Sequence, residues 1–423
     1  MFSHSTRLHP YRVFLIQEFA ASLAFAVIFT VNMVYQVEIV HLNPLQLVLV
    51  GTTLELTAFL CEIPTGVLAD VYSRRLSVIV GFVLVGLGYL LSAVPQFEAI
   101  LVSQVVAGVG FTFMSGALQA WVADELGEAS AGRAYLRGAQ VGALGELVGI
   151  GLSTVLASWR LVLPILAGGL GLVSIALFLA LAMPEQGFRP APREQRNSWQ
   201  HFMHTFAGGL SLARSKPVLL TILVIAIIQG AFSEGYDRLW TPHLLNDITL
   251  PALGPFQPVV WFGLIAAAGT LLSLAATEIV RRRVDTARQP GVARALLLIT
   301  SLLGGAVLAF GLTSNFALAL VALLVIKPVR MTVNPLTTAW LNQSLEPRVR
   351  ATVFSMAAQM DALGQIGGGP ALGLLATVVS LPAALVVSGL LLGATLPLYA
   401  RRMNPARLAR NVDGLDGGPV DPY

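Results

Sequence analysis

Apolar runs of about twenty residues, each closed by a short polar turn, recur along the whole chain. A run of that length crosses the hydrocarbon core of a bilayer as a single α-helix. The pattern places spans at 11–35, 45–69, 76–94, 97–121, 134–158 and 161–182. A second set follows at 217–240, 257–280, 294–313, 315–340, 351–378 and 380–400, for about twelve spans in all. Between the sets, residues 184–216 are polar. Within them Trp199, Phe202, Met203, Phe206 and Leu210 recur at helical spacing, which predicts an amphipathic helix on the membrane surface. Residues 241–258 hold several prolines and read as irregular loop. The last stretch is polar and reads as a mobile tail. The organisation expected is a six-helix bundle over 1–183, a linker over 184–216, a second bundle over 217–403 and a tail over 404–423.

Composition agrees with the pattern. Of 423 residues 56% are hydrophobic and 11% charged, against about 25% charged in a soluble chain, and mean hydropathy is +0.76. The formal net charge of +4 therefore reflects loop arginines and does not point to nucleic acid. With the N-terminus inside, Arg74, Arg75, Arg133, Arg137, Arg281, Arg282, Arg283, Arg348 and Arg350 fall on one side, as do the arginines of the linker and tail. Arg160 and Arg238 fall on the other. This asymmetry puts both termini in the cytoplasm. The single cysteine, Cys61, lies in an apolar run, so no intramolecular disulfide forms. The segment 11–35 is longer than the apolar core of a signal peptide and lacks a clean small-residue cleavage site.

The two sets of spans are related by an internal repeat. Ala139-Gln140-Val141-Gly142-Ala143-Leu144-Gly145-Glu146 returns as Ala358-Gln359-Met360-Asp361-Ala362-Leu363-Gly364-Gln365, at an offset of 358 − 139 = 219. Ala120-Trp121 returns as Ala339-Trp340 at the same offset. Two six-helix halves of parallel repeat are one of the known plans of secondary transporters.

An ionisable group at the bilayer centre costs about 2.5–3.5 kcal/mol on insertion scales, so it faces a wet cavity or a partner. The candidates are Glu18, Glu55, Glu62, Glu146, Lys327, Arg330 and Asp361. Spans 3, 6, 9 and 12 have none in their cores, which predicts that these four face lipid. Lys327 and Arg330 lie one turn apart on a face that Asn334 extends, and Asp361 and Glu146 are their expected counter-charges. Glu18, Glu55, Glu146 and Asp361, with Lys327 and Arg330, form the candidate proton-coupling and cavity set. Gln140, Gln359 and Asn334 are expected at a polar interface between halves. Glu234, Asp237 and Arg238 crowd the outer end of span 7 and are expected at the outer mouth.

The turn between spans 2 and 3 resembles the signature loop of the major facilitator superfamily. Gly66, Leu68, Ala69, Asp70, Arg74 and Arg75 match that pattern. Val71 stands where a basic residue is usual, and Ser73 where a second glycine is usual. The resemblance extends over the whole chain to efflux proteins of the tetracycline and macrolide type. It implies an all-α membrane protein, with twelve transmembrane helices in two pseudo-symmetric bundles, in a bacterial inner membrane. It also implies an inner gate of Gly66, Asp70, Arg74, Arg75, Asp124 and Glu125. There Asp70 meets the start of helix 11, and Arg74 or Arg75 pairs with Asp124 or Glu125. Two departures stand out. Gln104, four residues before Gly108, occupies the place of an arginine found in proton-linked members. Span 5 has Gly138, Gly142, Gly145, Gly149 and Gly151 but not the proline of the antiporter signature.

The function expected is proton-coupled efflux of amphipathic drugs by alternating access. The other reading is transport of an anionic metabolite, siderophore or lysolipid, with Lys327 and Arg330 holding the anion. The sequence has no nucleotide loop, metal-ligand cluster or nucleophile elbow. The expectation is therefore a monomeric transporter, not an enzyme, with no cofactor, metal or nucleic acid. Its partners are a small-molecule substrate, protons and the lipid bilayer.

Overall fold

A computed structural model describes residues 8–190, 217–253, 258–285, 289–344 and 347–400. The first half contains α1 (Pro10–Glu38), α2 (Pro44–Val71), α3 (Arg74–Ser92), α4 (Phe97–Leu126), α5 (Glu128–Trp159) and α6 (Leu163–Ala182). The second contains α7 (Pro217–Asn246), α8 (Val259–Arg283), α9 (Gln289–Leu312), α10 (Phe316–Ser344) and α11 (Pro347–Val378), and ends with α12 (Leu381–Ala400). Eleven of these are long and apolar enough to cross a membrane. α11 is 32 residues long, and Arg348, Arg350 and Asp361 lower its hydropathy. The linker helix around Trp199 and Phe206 and the tail from Asn404 lie outside the described residues.

Local chemistry sets the helix ends. Asn43 accepts from Gln46 N at 2.9 Å while Gln46 reaches back to Asn43 N, a reciprocal cap that starts α2 at Pro44. Ser73 caps α3 by accepting from Leu76 N at 2.9 Å. That gives the serine of the signature turn a local role. Gly116 at φ 69° breaks α4, and Gly127 at φ 78° turns α4 directly into α5, a region only glycine enters without strain. α5 consequently begins at Glu128, before the expected 134, because its first turns are polar. α7 runs to Asn246 with Pro242 inside it, so six residues assigned to an irregular loop are helical.

The two halves repeat the same packing scheme. α1 lies on α5 and α6, α3 on α4 and α6, and α2 on α4. Six helices later, α7 lies on α11 and α12, α9 on α10 and α12, and α8 on α10. The main contacts between halves are α2 on α11, α5 on α8, and α7 on α2. The main contacts of α3, α6, α9 and α12 stay within their own half, as their lack of charge predicts.

Glycines let the backbones approach. On α5, Gly145 faces the carbonyl of Phe19 and Gly149 that of Leu23, both on α1. Their repeat partners Gly364 and Gly368 face Ile227 and Ala231 on α7. A β-carbon at Gly145 would meet backbone that cannot move aside, whereas Gly151 faces open space. Gly145→Val is therefore expected to lose roughly 1–3 kcal/mol and Gly151→Ala to lose nothing. Thermal unfolding of both variants in detergent checks this. Equal midpoints would show that the α1–α5 packing is not that tight.

Candidate functional site

The end of the molecule carrying Arg74, Arg281 and Arg350 is the basic end. Close links between the halves run from mid-depth to the opposite, arginine-poor end. Leu45 N donates to Thr377 Oγ1 at 3.0 Å, joining the start of α2 to the end of α11. Val48 lies against Gly369 and Gly373, and Thr154 of α5 against Gly263 of α8. Below these contacts the halves enclose a cavity of about 920 Å³. Phe25, Phe29, Tyr236, Trp240 and Phe262 give it an aromatic wall, and Glu146, Asp237, Lys327 and Arg330 give it charge.

The charges form pairs. Lys327 Nζ is 3.4 Å from Glu146 Oε1, linking α10 to α5 across the halves. Thr270 of α8 sits between them, donating to Glu146 at 2.8 Å and accepting from Lys327 at 2.8 Å. Both charged side chains are about two-fifths exposed, at 39% and 40%, so they remain within reach of the cavity. Arg330 makes a two-pronged contact with Asp237, one arm at 2.7 Å. Its guanidinium lies 5.7 Å from the Phe232 ring and 6.0 Å from the Tyr236 ring, within cation–π range. The expected counter-charge, Asp361, is not the partner of Arg330. Asp237 of α7 lines the same cavity as Arg330 and offers both oxygens to its planar fork.

Glu234, Asp237 and Arg238 do not form an outer mouth. Glu234 is 3% exposed and accepts from Arg238 Nε at 3.0 Å. Both side chains press on the backbone of Gly51 in α2, so this pair lies at the seam between halves. The reason is the length of α7, which carries these residues several turns below its end. Arg238 also reaches into a pocket of about 390 Å³ shared with Tyr89 and Gln104 of the first half.

The remaining acids are distributed more widely. Asp361 accepts from Gln365 Nε2 at 2.8 Å. Glu55 of α2 faces the charges of Glu234, Arg238 and Asp361. Glu18 lies on α1 against Gly138 and Gly142 of α5. Gln140 is exposed and accepts from Arg137 of its own helix at 2.9 Å, so it does not bridge the halves. Gln359 is half-buried, and Asn334 is exposed on the central cavity.

At the basic end, Arg74 pairs with Asp124, donates to Ala120 O at 3.0 Å and stands 3.6 Å from Asp70. Arg75 donates to Ala180 O at 2.5 Å. Glu125 accepts instead from the backbone of Gln186 and Gly187 at 2.5 and 2.6 Å. Glu185 accepts from Ser73 Oγ and Arg75 N at 2.7 and 2.8 Å. The chain after α6 thus folds under the signature turn. Glu185 and Thr270 were not singled out from sequence; a lone acid after Met183-Pro184 and one threonine among many carry no distinguishing signal. The Asp70 carboxylate is 58% exposed. The first side chains of α11, its expected partners, lie outside the described residues, and Gly66 faces open space.

Residues 14–368 match the Major Facilitator Superfamily. An uncharacterized MFS-type transporter, YxaM, of Bacillus subtilis (strain 168) is 22% identical over 363 residues, covering 84% of this chain and 86% of that protein. Among solved structures, the nucleoside transporter NupG superposes with a TM-score of 0.73 at 13% identity, over 94% of this chain and 100% of that one. A bacterial homologue of the human lysosomal transporter Spinster, in an inward-facing and unoccupied conformation, gives 0.70 at 15% identity, over 95% and 98%. The human organic anion transporter MFSD10 gives 0.59 at 16% identity, over 92% and 99%.

Removing one member of the Asp237–Arg330 pair leaves a charge in a partly dry site. Asp237→Asn is expected to cost on the order of 2 kcal/mol, the worth of a hydrogen bond to a charged group. Adding Arg330→Gln should cost less than the sum of the single changes. Thermal midpoints of the four proteins of this cycle test it, and strict additivity would mean the two side chains do not depend on each other.

Proposed function

The chain belongs to the Major Facilitator Superfamily, and we propose that it exports amphipathic organic compounds in exchange for protons by alternating access. One observation carries this reading. The central cavity is bounded by both halves, has an aromatic wall and holds charged groups that remain partly exposed. Such a lining accepts a flat apolar body with a polar head. We take the basic end as cytoplasmic, following the arginine asymmetry. With the halves linked at the other end, the described conformation is then inward-facing.

Exchange requires a group whose protonation differs between the two states. The Glu146–Lys327 contact is the candidate because it joins the halves at mid-depth and borders the cavity. A proton on Glu146 removes its charge and weakens its hold on Lys327. The substrate and the proton then act on the same seam. Arg74, Asp124 and Glu185 hold the signature turn rigid, so that the first half moves as one body.

The Glu146→Gln variant is expected to fold and to exchange substrate downhill at close to the parental rate. It should lose nearly all accumulation driven by a pH gradient. Proteoliposomes with an imposed gradient and a transported dye provide the measurement. Accumulation equal to the parent would reduce Glu146 to a structural clip.

A second reading is transport of an organic anion such as a metabolite, siderophore or lysolipid. It is favoured by Lys327 and Arg330 lying together on the cavity wall. Both cations are already paired, which weighs against it. Competition of dye uptake by an organic anion, but not by an amphipathic cation, would decide for this second reading.

A further inference from the structure

The second half contains a cavity of its own, about 510 Å³, among α7, α9, α10 and α11. Asp237, Arg330 and Asn334 line both this cavity and the central one, so the Arg330–Asp237 pair forms the partition between them. Asp361 lies on the wall. Its Oδ2 is held by Gln365, and its Oδ1 has no hydrogen bond among the described residues. Thr337 adds a buried hydroxyl oxygen with no partner. Gln229 adds an amide, and Trp340 and Phe354 add aromatic surface.

Charge decides what fits. Arg330 is neutralised by Asp237, and among the described residues Asp361 has no ion pair. With Asp361 ionised, the charged side chains on the wall, Asp237, Arg330 and Asp361, leave one negative charge in excess within the membrane-spanning region. An isolated ion there demands a partner. A second anion would double the imbalance, whereas a cation removes it. A metal ion needs several hard oxygen ligands; of the two carboxylates on the wall Asp237 is taken by Arg330, which leaves Asp361 beside aromatic rings. A carboxylate facing aromatic surface suits an organic ammonium group.

The repeat sets the two halves apart at this point. Asp361 corresponds to Gly142 and Gln365 to Glu146, at the same offset of 219. In the first half the acid reaches across to Lys327. In the second it is set back by one turn, tethered by the glutamine and left facing a cavity. We propose that this cavity is a subsite for the ammonium head of an organic cation, with Asp361 as its counter-charge. This deepens, and rests on, the reading of the chain as an exporter of amphipathic compounds.

The test is equilibrium dialysis of radiolabelled benzyltrimethylammonium against the full-length protein in nanodiscs, with phenylacetate as a probe of similar size and opposite charge. The parent should bind the cation saturably and phenylacetate far more weakly. Asp361→Asn should weaken cation binding at least about tenfold, and Asp361→Glu should stay within a few-fold of the parent. Ala358→Phe, at an exposed residue of the lining, should block the site by volume and decides the matter if Asp361→Asn does not fold. Absence of saturable binding to the parent, unchanged affinity in Asp361→Asn or Ala358→Phe, or preference for phenylacetate overturns the subsite. Ammonium binding lost in Asp361→Asn with pH-driven dye accumulation absent in the parent would support the subsite and sink proton-driven export. Dye accumulation in the parent without ammonium binding would do the reverse.

Discussion

Every charge held inside the bilayer must find a partner or water, and the structure is arranged around that requirement. Glu146 meets Lys327, Asp237 meets Arg330, and Glu234 meets Arg238. Each pair stands at a place where helices would otherwise slide past one another. The first ties α5 to α10 across the halves. The second ties α7 to α10. The third is held on one helix and pressed against Gly51 of the other half. Ion pairs in such settings contribute little net stability, because desolvation offsets attraction. Their effect is on register: a half that shifts by a turn leaves two charges bare.

Glycine makes that geometry possible. Gly51 leaves room for the Glu234–Arg238 pair against α2, Gly269 leaves room for the Lys327 side chain, and Gly369 and Gly373 let α2 approach α11 closely. Inside each half the same device brings α5 onto α1 and α11 onto α7. Helices in lipid gain no hydrophobic drive from association, so close van der Waals contact and polar links hold them. The glycine faces and the charge pairs are therefore one mechanism: the first sets the distance and the second uses it.

Much of this was legible in the sequence, and the limits have physical causes. Spans, repeat and peripheral helices follow from hydropathy, offset and absence of charge, which are properties of the chain itself. The Glu146–Lys327 partnership followed from depth and sign. The partner of Arg330 did not, because Asp237 looked like a residue of the helix end. A helix that extends six residues beyond its apolar run hides that depth, since Thr241 to Asn246 read as loop. Glu185 was invisible for another reason. Its role depends on the chain doubling back after Pro184, where Trp121 Nε1 donates to Pro184 O at 2.7 Å, and no periodicity encodes such a return.

The repeat also explains why the two halves are not interchangeable. At one structural level the first half offers Gly142 and Glu146, and the second Asp361 and Gln365. A glutamate at both positions would put two acids at that level, with Lys327 and Arg330 the cations on the central cavity wall among the described residues. Arg330 is already committed to Asp237. The second acid stands back by a turn, where Gln365, a neutral donor, orients it. The seam then keeps one acid and one lysine, balanced, while the other acid faces the cavity beneath the Arg330–Asp237 partition. The pseudo-symmetric scaffold thereby carries two chemically different acids at repeat positions one turn apart. One holds the halves together, and the other is open to a ligand.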